Sequence, residues 1–134
     1  MDNTQPSKQD IEELISYLPR LYEEGFKPIK QWQGGDKRED GSISFPWPEY
    51  NKIVSEFFEE ASKDCWNDSG YNPEEACKLI QDDEYIKNAT LHQIKTLLTY
   101  CVRGERFCTG HWEAVIREGY IKRILERLID SRGE

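Results

Sequence analysis

Residues 90–130, TLHQIKTLLTYCVRGERFCTGHWEAVIREGYIKRILERLID, carry three successive apolar stripes at helical spacing, and their reading decides the fold. Thr90 and Gln93 form a capping-box pair, and Leu91, Ile94, Leu97, Leu98 and Cys101 follow on one face. That helix is predicted to stop near Gly104. Thr109 or Gly110 is placed to start the next, with Trp112, Val115 and Ile116 on its apolar side. Gly119 breaks it. Ile121, Ile124, Leu125, Leu128 and Ile129 then form a last amphipathic helix.

The same grammar extends upstream. Residues 1–7 read as a flexible polar tail. Ser7 offers an N-cap with Asp10 three residues on, ahead of Ile11, Leu14, Ile15 and Leu18. Pro19 should end or kink that helix, and Gly25 is a plausible stop after a further turn at Leu21 and Tyr22. Pro48 suits the first position of a helix whose stripe is Ile53, Val54, Phe57, Phe58 and Ala61. Asn72 before Pro73, Glu74 and Glu75 starts another, and Asp82-Asp83-Glu84 opens a short turn.

Between these helices, residues 26–48 read as irregular. Gly34-Gly35-Asp36 and Asp40-Gly41 are turn signals, and Ile43 to Phe45 is too short for more than a minor strand. Trp32, Phe45 and Trp47 are expected to form a lid over the helices rather than a binding groove, since large aromatics mostly bury. The expected fold is all-α: a single-domain irregular bundle of about six short helices over residues 8–134, with one long aromatic loop.

Composition narrows the function classes. The chain has 134 residues, enough for one compact domain with its own core. Its 12% aromatic content argues against disorder. The net charge of −8 divides unevenly: residues 1–90 carry 10 Lys+Arg against 20 Asp+Glu, and residues 91–134 carry 8 against 6. An acidic chain is a poor non-specific nucleic-acid binder, which needs basic surface to release counterions. No window approaches the roughly 20 apolar residues of a membrane span, and the N-terminus lacks a signal-peptide pattern. Cys65, Cys77, Cys101 and Cys108 are therefore expected as reduced thiols in a cytoplasm.

Four site readings follow from residue types. Cys108 and His111 have a spacing zinc accepts, with Cys101 and His92 upstream, but one pair and two scattered helical residues do not make a converging tetrad. Cys101 reads first as a small core hydrophobe, so no metal and no cofactor is assigned. Cys108 also lies before a helix start beside Arg103, Arg106 and His111, a setting that favours thiolate. With Glu105 or Glu113 to orient the imidazole, these are the parts of a Cys-His enzyme, against which stands the ordinary polar turn that any helix entry needs. Residues 110–132 loosely follow helix-turn-helix spacing, yet Glu126 and Asp130 interrupt Lys122, Arg123 and Arg127 as on a solvated helix. The acidic run at Asp82 lacks the ligand alternation of a calcium loop.

The stretch from Leu97 through Arg103-Gly104-Glu105-Arg106-Phe107-Cys108-Thr109-Gly110-His111-Trp112, then Gly119, Ile121, Ile124, Leu125, Arg127 and Leu128, resembles a family of small uncharacterised microbial proteins, a domain of unknown function. Tyr17-Leu18-Pro19 and the Phe45 to Tyr50 segment are also similar, so the resemblance spans residues 14–130. Its hallmark is Arg-Gly-Glu-Arg-Phe-x-x-Gly-His. The resemblance implies a signature cluster of Arg103, Glu105, Arg106, Phe107, Gly110 and His111 but brings no activity with it.

The function expected from the sequence is a small cytoplasmic binding or interaction module, its partner an unknown protein or a small anionic ligand. The expected site is a cleft between residues 26–48 and the helix start at Gly110. There Arg103, Arg106 and His111 would present donors, Glu105 would belong to the same cluster, and Trp112, Trp32 or Trp47 would add apolar contact.

Overall fold

The computed structural model describes residues 5–35, 37, 39–42 and 46–131. Helix α1 (Lys8–Ile15) opens on the expected capping box: Asp10 N donates to Ser7 Oγ and Ser7 N donates to Asp10 Oδ2. The break falls at Ser16 and Tyr17, and Pro19 sits in the first turn of α2 (Leu18–Leu21), where its missing N–H costs nothing. Strands β1 (Ile29–Gln33) and β2 (Trp47–Tyr50) follow, then α3 (Lys52–Ala61), a 3₁₀ turn at Asp64–Trp66, α4 (Pro73–Leu79) and α5 (Asp83–Lys87). Helix α6 (Leu91–Arg103) runs into a second 3₁₀ turn at Gly104–Arg106. Helices α7 (His111–Arg117) and α8 (Tyr120–Ser131) follow.

The fold is mostly helical but not purely so. Residues 26–48, expected as a loop, contain β1 and the start of an antiparallel two-stranded ribbon, with Trp32 opposite Pro48 and Gln33 opposite Trp47. Of the nine strand residues only Ile29, Trp32, Trp47 and Tyr50 have high β-propensity, and the two segments lie well apart in sequence, so no local period announces the pairing. Proline is tolerated in β2 because both strands of a two-stranded ribbon are edges. The helix start expected at Pro48 moves to Asn51, whose Oδ1 accepts from Ile53 N at 3.2 Å. Trp32 and Trp47 are not a lid: they are 53% and 54% exposed. Ile43 and Phe45 lie outside the described residues.

The core draws on every helix. Leu14, Val54, Phe57, Trp66, Ile94, Leu97, Leu98, Cys101, Ile121, Ile124, Leu125 and Leu128 are fully buried. These are the stripe residues read from the sequence, with Trp66 added. Helix α8 packs against α1, α5, α6 and α7, so its apolar face is enclosed on several sides. Arg123 pairs with Asp83 of α5 at 3.2 Å, and Arg127 Nε donates to the Ala89 carbonyl at 2.9 Å. Two of the three cations named on the second helix of the helix-turn-helix alternative thus have partners within the protein.

The corner between α7 and α8 turns at Gly119, whose φ of +82° is disfavoured for side-chain-bearing residues. Tyr22 reaches across from the far end of the chain to brace it. Its hydroxyl donates to the Ile116 carbonyl at 2.8 Å and accepts from Lys122 N at 3.1 Å. Burial raises the Tyr22 phenol well above its ordinary value, so it stays protonated and able to donate. Tyr22→Phe leaves Lys122 N without its acceptor, while the Ile116 carbonyl keeps Gly119 N at 3.0 Å, and is expected to lower stability by about 1–2 kcal/mol, read as a lower urea midpoint at unchanged slope.

Candidate functional site

The cationic segment lies where α6 ends. After Arg103 the chain tightens into the 3₁₀ turn, with Phe107 N and Cys108 N both donating to the Gly104 carbonyl at 3.0 and 2.9 Å. Residues 107–109 then bulge outward, and Gly110 enters α7 at a φ of +90°. Gly110 is the N-cap of α7, one of the two starts read from the sequence, and makes no side-chain cap hydrogen bond. Glu105 supplies the acceptor instead. Its carboxylate accepts from Gly110 N at 3.0 Å and from Trp112 N at 2.9 Å. It also accepts the Tyr50 hydroxyl at 2.8 Å. A negative group on these amides is favoured by the helix dipole as well as by the hydrogen bonds.

His111 is half-buried. Its ring meets Tyr100 edge-on, with centroids 5.0 Å apart and planes at 83°. Its tip fills the space beside Gly104: a Cβ there would collide with Nε2, Cδ2 and Cε1. Nε2 is buried without a hydrogen-bond partner. Burial therefore holds the imidazole below its ordinary value, opposed by the Glu105 charge and a backbone hydrogen bond with Tyr100.

Arg103 is also braced: Nη2 donates to Asn67 Oδ1 at 3.1 Å, and the guanidinium lies over the Tyr71 ring, 5.3 Å from its centroid. Arg106 is exposed and makes no ion pair among the described residues. Phe107 is 82% exposed, and Cys108 carries an exposed free thiol. Trp112 turns inward. Its ring stacks on Phe58 at 4.5 Å and 7°, and its Nε1–H donates to the Val102 carbonyl at 3.1 Å.

Two recesses flank this segment. One, of about 260 Å³, has Arg103, Arg106, Asn67, Ser62 and Asp64 among its walls. The other, of about 310 Å³, is walled by Tyr71, Pro73, Tyr100, Phe107, Cys108 and His111, with Gly104 at its edge. Arg103 lines the first and Tyr71 the second, and these two side chains touch. The recesses therefore share a wall.

The expected cleft between residues 26–48 and the start of α7 is filled by Tyr50, whose ring packs on Trp112 at 5.1 Å and whose hydroxyl holds Glu105. Trp32 and Trp47 line neither recess. Of the expected site residues, Glu105 accepts from Gly110 N, Trp112 N and Tyr50, and Trp112 packs on Phe58, while Arg103, Arg106 and His111 border the recesses. Tyr71, Tyr100 and Asn67 were not singled out in the sequence. Tyr100 had a signal, since it shares a helical face with Gly104 four residues on. Tyr71 and Asn67 arrive from a distant loop and had none.

The alternative chemistries find little support in the geometry. Among the described residues no three His, Cys, Asp or Glu side chains converge on a metal position. His92 and Cys101 sit nine residues apart on α6, about 14 Å along its axis. Cys101 is fully buried, and burial pushes its thiol far up. Cys108 and His111 share a recess, but Nε2 is turned into Gly104, Glu105 is spent on amides and Glu113 pairs with Arg117 at 3.0 Å. Asp82 caps α5, its Oδ1 accepting from Glu84 N and Tyr85 N. Among the described residues, no helix is long and apolar enough to cross a membrane.

The chain belongs to a family of unknown function (DUF6508), whose model matches residues 6–134. No curated protein and no solved structure matches it.

Glu105→Ala removes the acceptor shared by Gly110 N, Trp112 N and Tyr50, and is expected to cost about 2–4 kcal/mol in chemical denaturation. His111 supplies a pH test. The unfolded chain takes up its proton at about pH 6.5 and the folded chain only at lower pH. Protons therefore favour unfolding, and the His111 contribution is intact above about pH 6.5 and declines below it. Stability measured from pH 7.5 to 5 should fall less steeply in His111→Phe than in the wild type.

Proposed function

We propose that this chain is a small binding module that takes an anionic ligand at the recess bordered by Arg103 and Arg106. The observation that carries the reading is Arg106: an exposed guanidinium without an ion pair among the described residues, in a chain of net charge −8. In such a chain acidic partners are plentiful, yet Asp64, on the same recess, forms no ion pair with it. Arg103 beside it is held in place by Asn67 and Tyr71, which limits the entropy lost when an anion engages it. A planar guanidinium suits a carboxylate or phosphate edge.

The start of α7 is not the anion site in this reading, because Glu105 already occupies its amides. The anion is held by side chains instead, alongside a neutral His111. Asp64 lies on the recess itself, and the remaining acidic charge of residues 1–90 is screened beyond roughly 8 Å at physiological salt. Residues 91–134 themselves carry 8 Lys+Arg against 6 Asp+Glu. The module is read as the single unit 8–134, with a core running from Leu14 to Leu128, and as a cytoplasmic protein whose four cysteines are free thiols.

The test uses acetate as the simplest anion, followed through the guanidinium resonances of Arg103 and Arg106. Both should shift with acetate in the wild type. Arg106→Ala should abolish the Arg103 response while changing stability by no more than about 0.5 kcal/mol, as for other exposed positions. Wild-type resonances that shift only as far as ionic strength alone moves them, with chloride as the control, end the reading.

A further inference from the structure

The second recess tells more about the ligand. We infer that the module's ligand is a planar aromatic carboxylate, its ring body seated among Tyr71, Tyr100 and Phe107 and its acid group reaching across the shared wall to Arg106. This inference rests on the anionic reading above and adds the ligand's body to it.

Three observations lead here. First, four of the seven residues that line the 310 Å³ recess carry rings, Tyr71, Tyr100, Phe107 and His111, beside Pro73, Gly104 and Cys108. Flat walls favour a flat occupant, because offset and edge-on ring contacts gain beyond simple burial. Second, Phe107 is 82% exposed although the fold has a core in which Phe57 and Phe58 are buried. No contact with the core holds Phe107 outward. The backbone around it does, since Phe107 N and Cys108 N are tied to the Gly104 carbonyl and Glu105 fixes the far side of the bulge. An apolar ring held at the rim of an apolar recess is placed to close over an occupant.

Third, the apolar recess abuts the cationic one where Arg103 lies over Tyr71, and Arg106 and Phe107, one from each lining, are adjacent in the chain. A ligand whose charge and ring body are directly joined spans that contact without a linker. The volume lies near the lower end of small-molecule sites, roughly 300–1,000 Å³, which suits a compact ring system better than a long chain. His111 is neutral near pH 7 and its Nε2 is turned into Gly104, so this wall presents ring surface to the occupant and no charge.

Titration calorimetry with three probes tests it: 2-naphthoate, acetate and the uncharged 2-naphthamide. The expected result is 2-naphthoate binding at least about tenfold tighter than either of the others, a gain of about 1.4 kcal/mol. Phe107→Ala should weaken 2-naphthoate several-fold and leave acetate unchanged, whereas Arg106→Ala should weaken both anions and spare the amide. Both side chains are exposed, so both variants should fold. If 2-naphthoate binds no tighter than acetate, the ring subsite is wrong while the anion site stands. If the amide binds as tightly as 2-naphthoate, the anion site fails and the inference with it. If none of the probes binds and the wild type, but not Phe107→Ala, self-associates in sedimentation, Phe107 covers a second copy of this chain and the inference is overturned.

Discussion

The Glu105 carboxylate is the constraint on which the candidate site depends. Helix α7 has only seven residues and begins at a glycine without a capping side chain, so its first amides need an acceptor from elsewhere. Glu105 supplies it from the preceding 3₁₀ turn, and one of its oxygens also takes the Tyr50 hydroxyl at the end of β2. A single half-buried group thus ties the end of α6, the start of α7 and the ribbon together. Losing it would leave buried donors without partners, which costs more than the hydrogen bonds themselves gain.

This bond divides the labour within residues 103–111. Gly104 is small because the His111 ring occupies its Cβ position, and Gly110 takes a left-handed φ to bring the chain into α7. With the two ends of the turn pinned, the intervening residues are forced out. Arg106, Phe107, Cys108 and Thr109 are all exposed. The inner residues account for the shape of the turn, and the outer ones face water. Arg103 lies between the two groups, braced by Asn67 and Tyr71 yet still bordering a recess.

Much of the helical framework was legible in the sequence because helix ends are local events. Ser7 with Asp10, Asn72 with Glu75, Asp82 with Glu84 and Thr90 with Gln93 each cap across two or three residues, and each does so in the structure. The stripes of α3, α6 and α8 likewise point to the core, since one buried face per helix follows from a 3.6-residue period. The ribbon was not legible. Its pairing of Trp32 with Pro48 is long-range, and Trp32 and Trp47 violate the expectation that tryptophan buries. The site was half legible: the cationic segment stands out in the chain, but the roles of its members do not.

Residue order alone determined most of the segments that become helices, where most of them begin, and that a cationic turn precedes α7, because those depend on neighbours within a few positions. Tertiary structure decided that Glu105 and Trp112 serve the fold while Arg106 and Phe107 face water. It also decided that Tyr71 and Asn67 come to meet Arg103 from over thirty residues away. The reason is that a side chain's partner is settled by which surfaces the packed core brings together, and distance along the chain does not measure that.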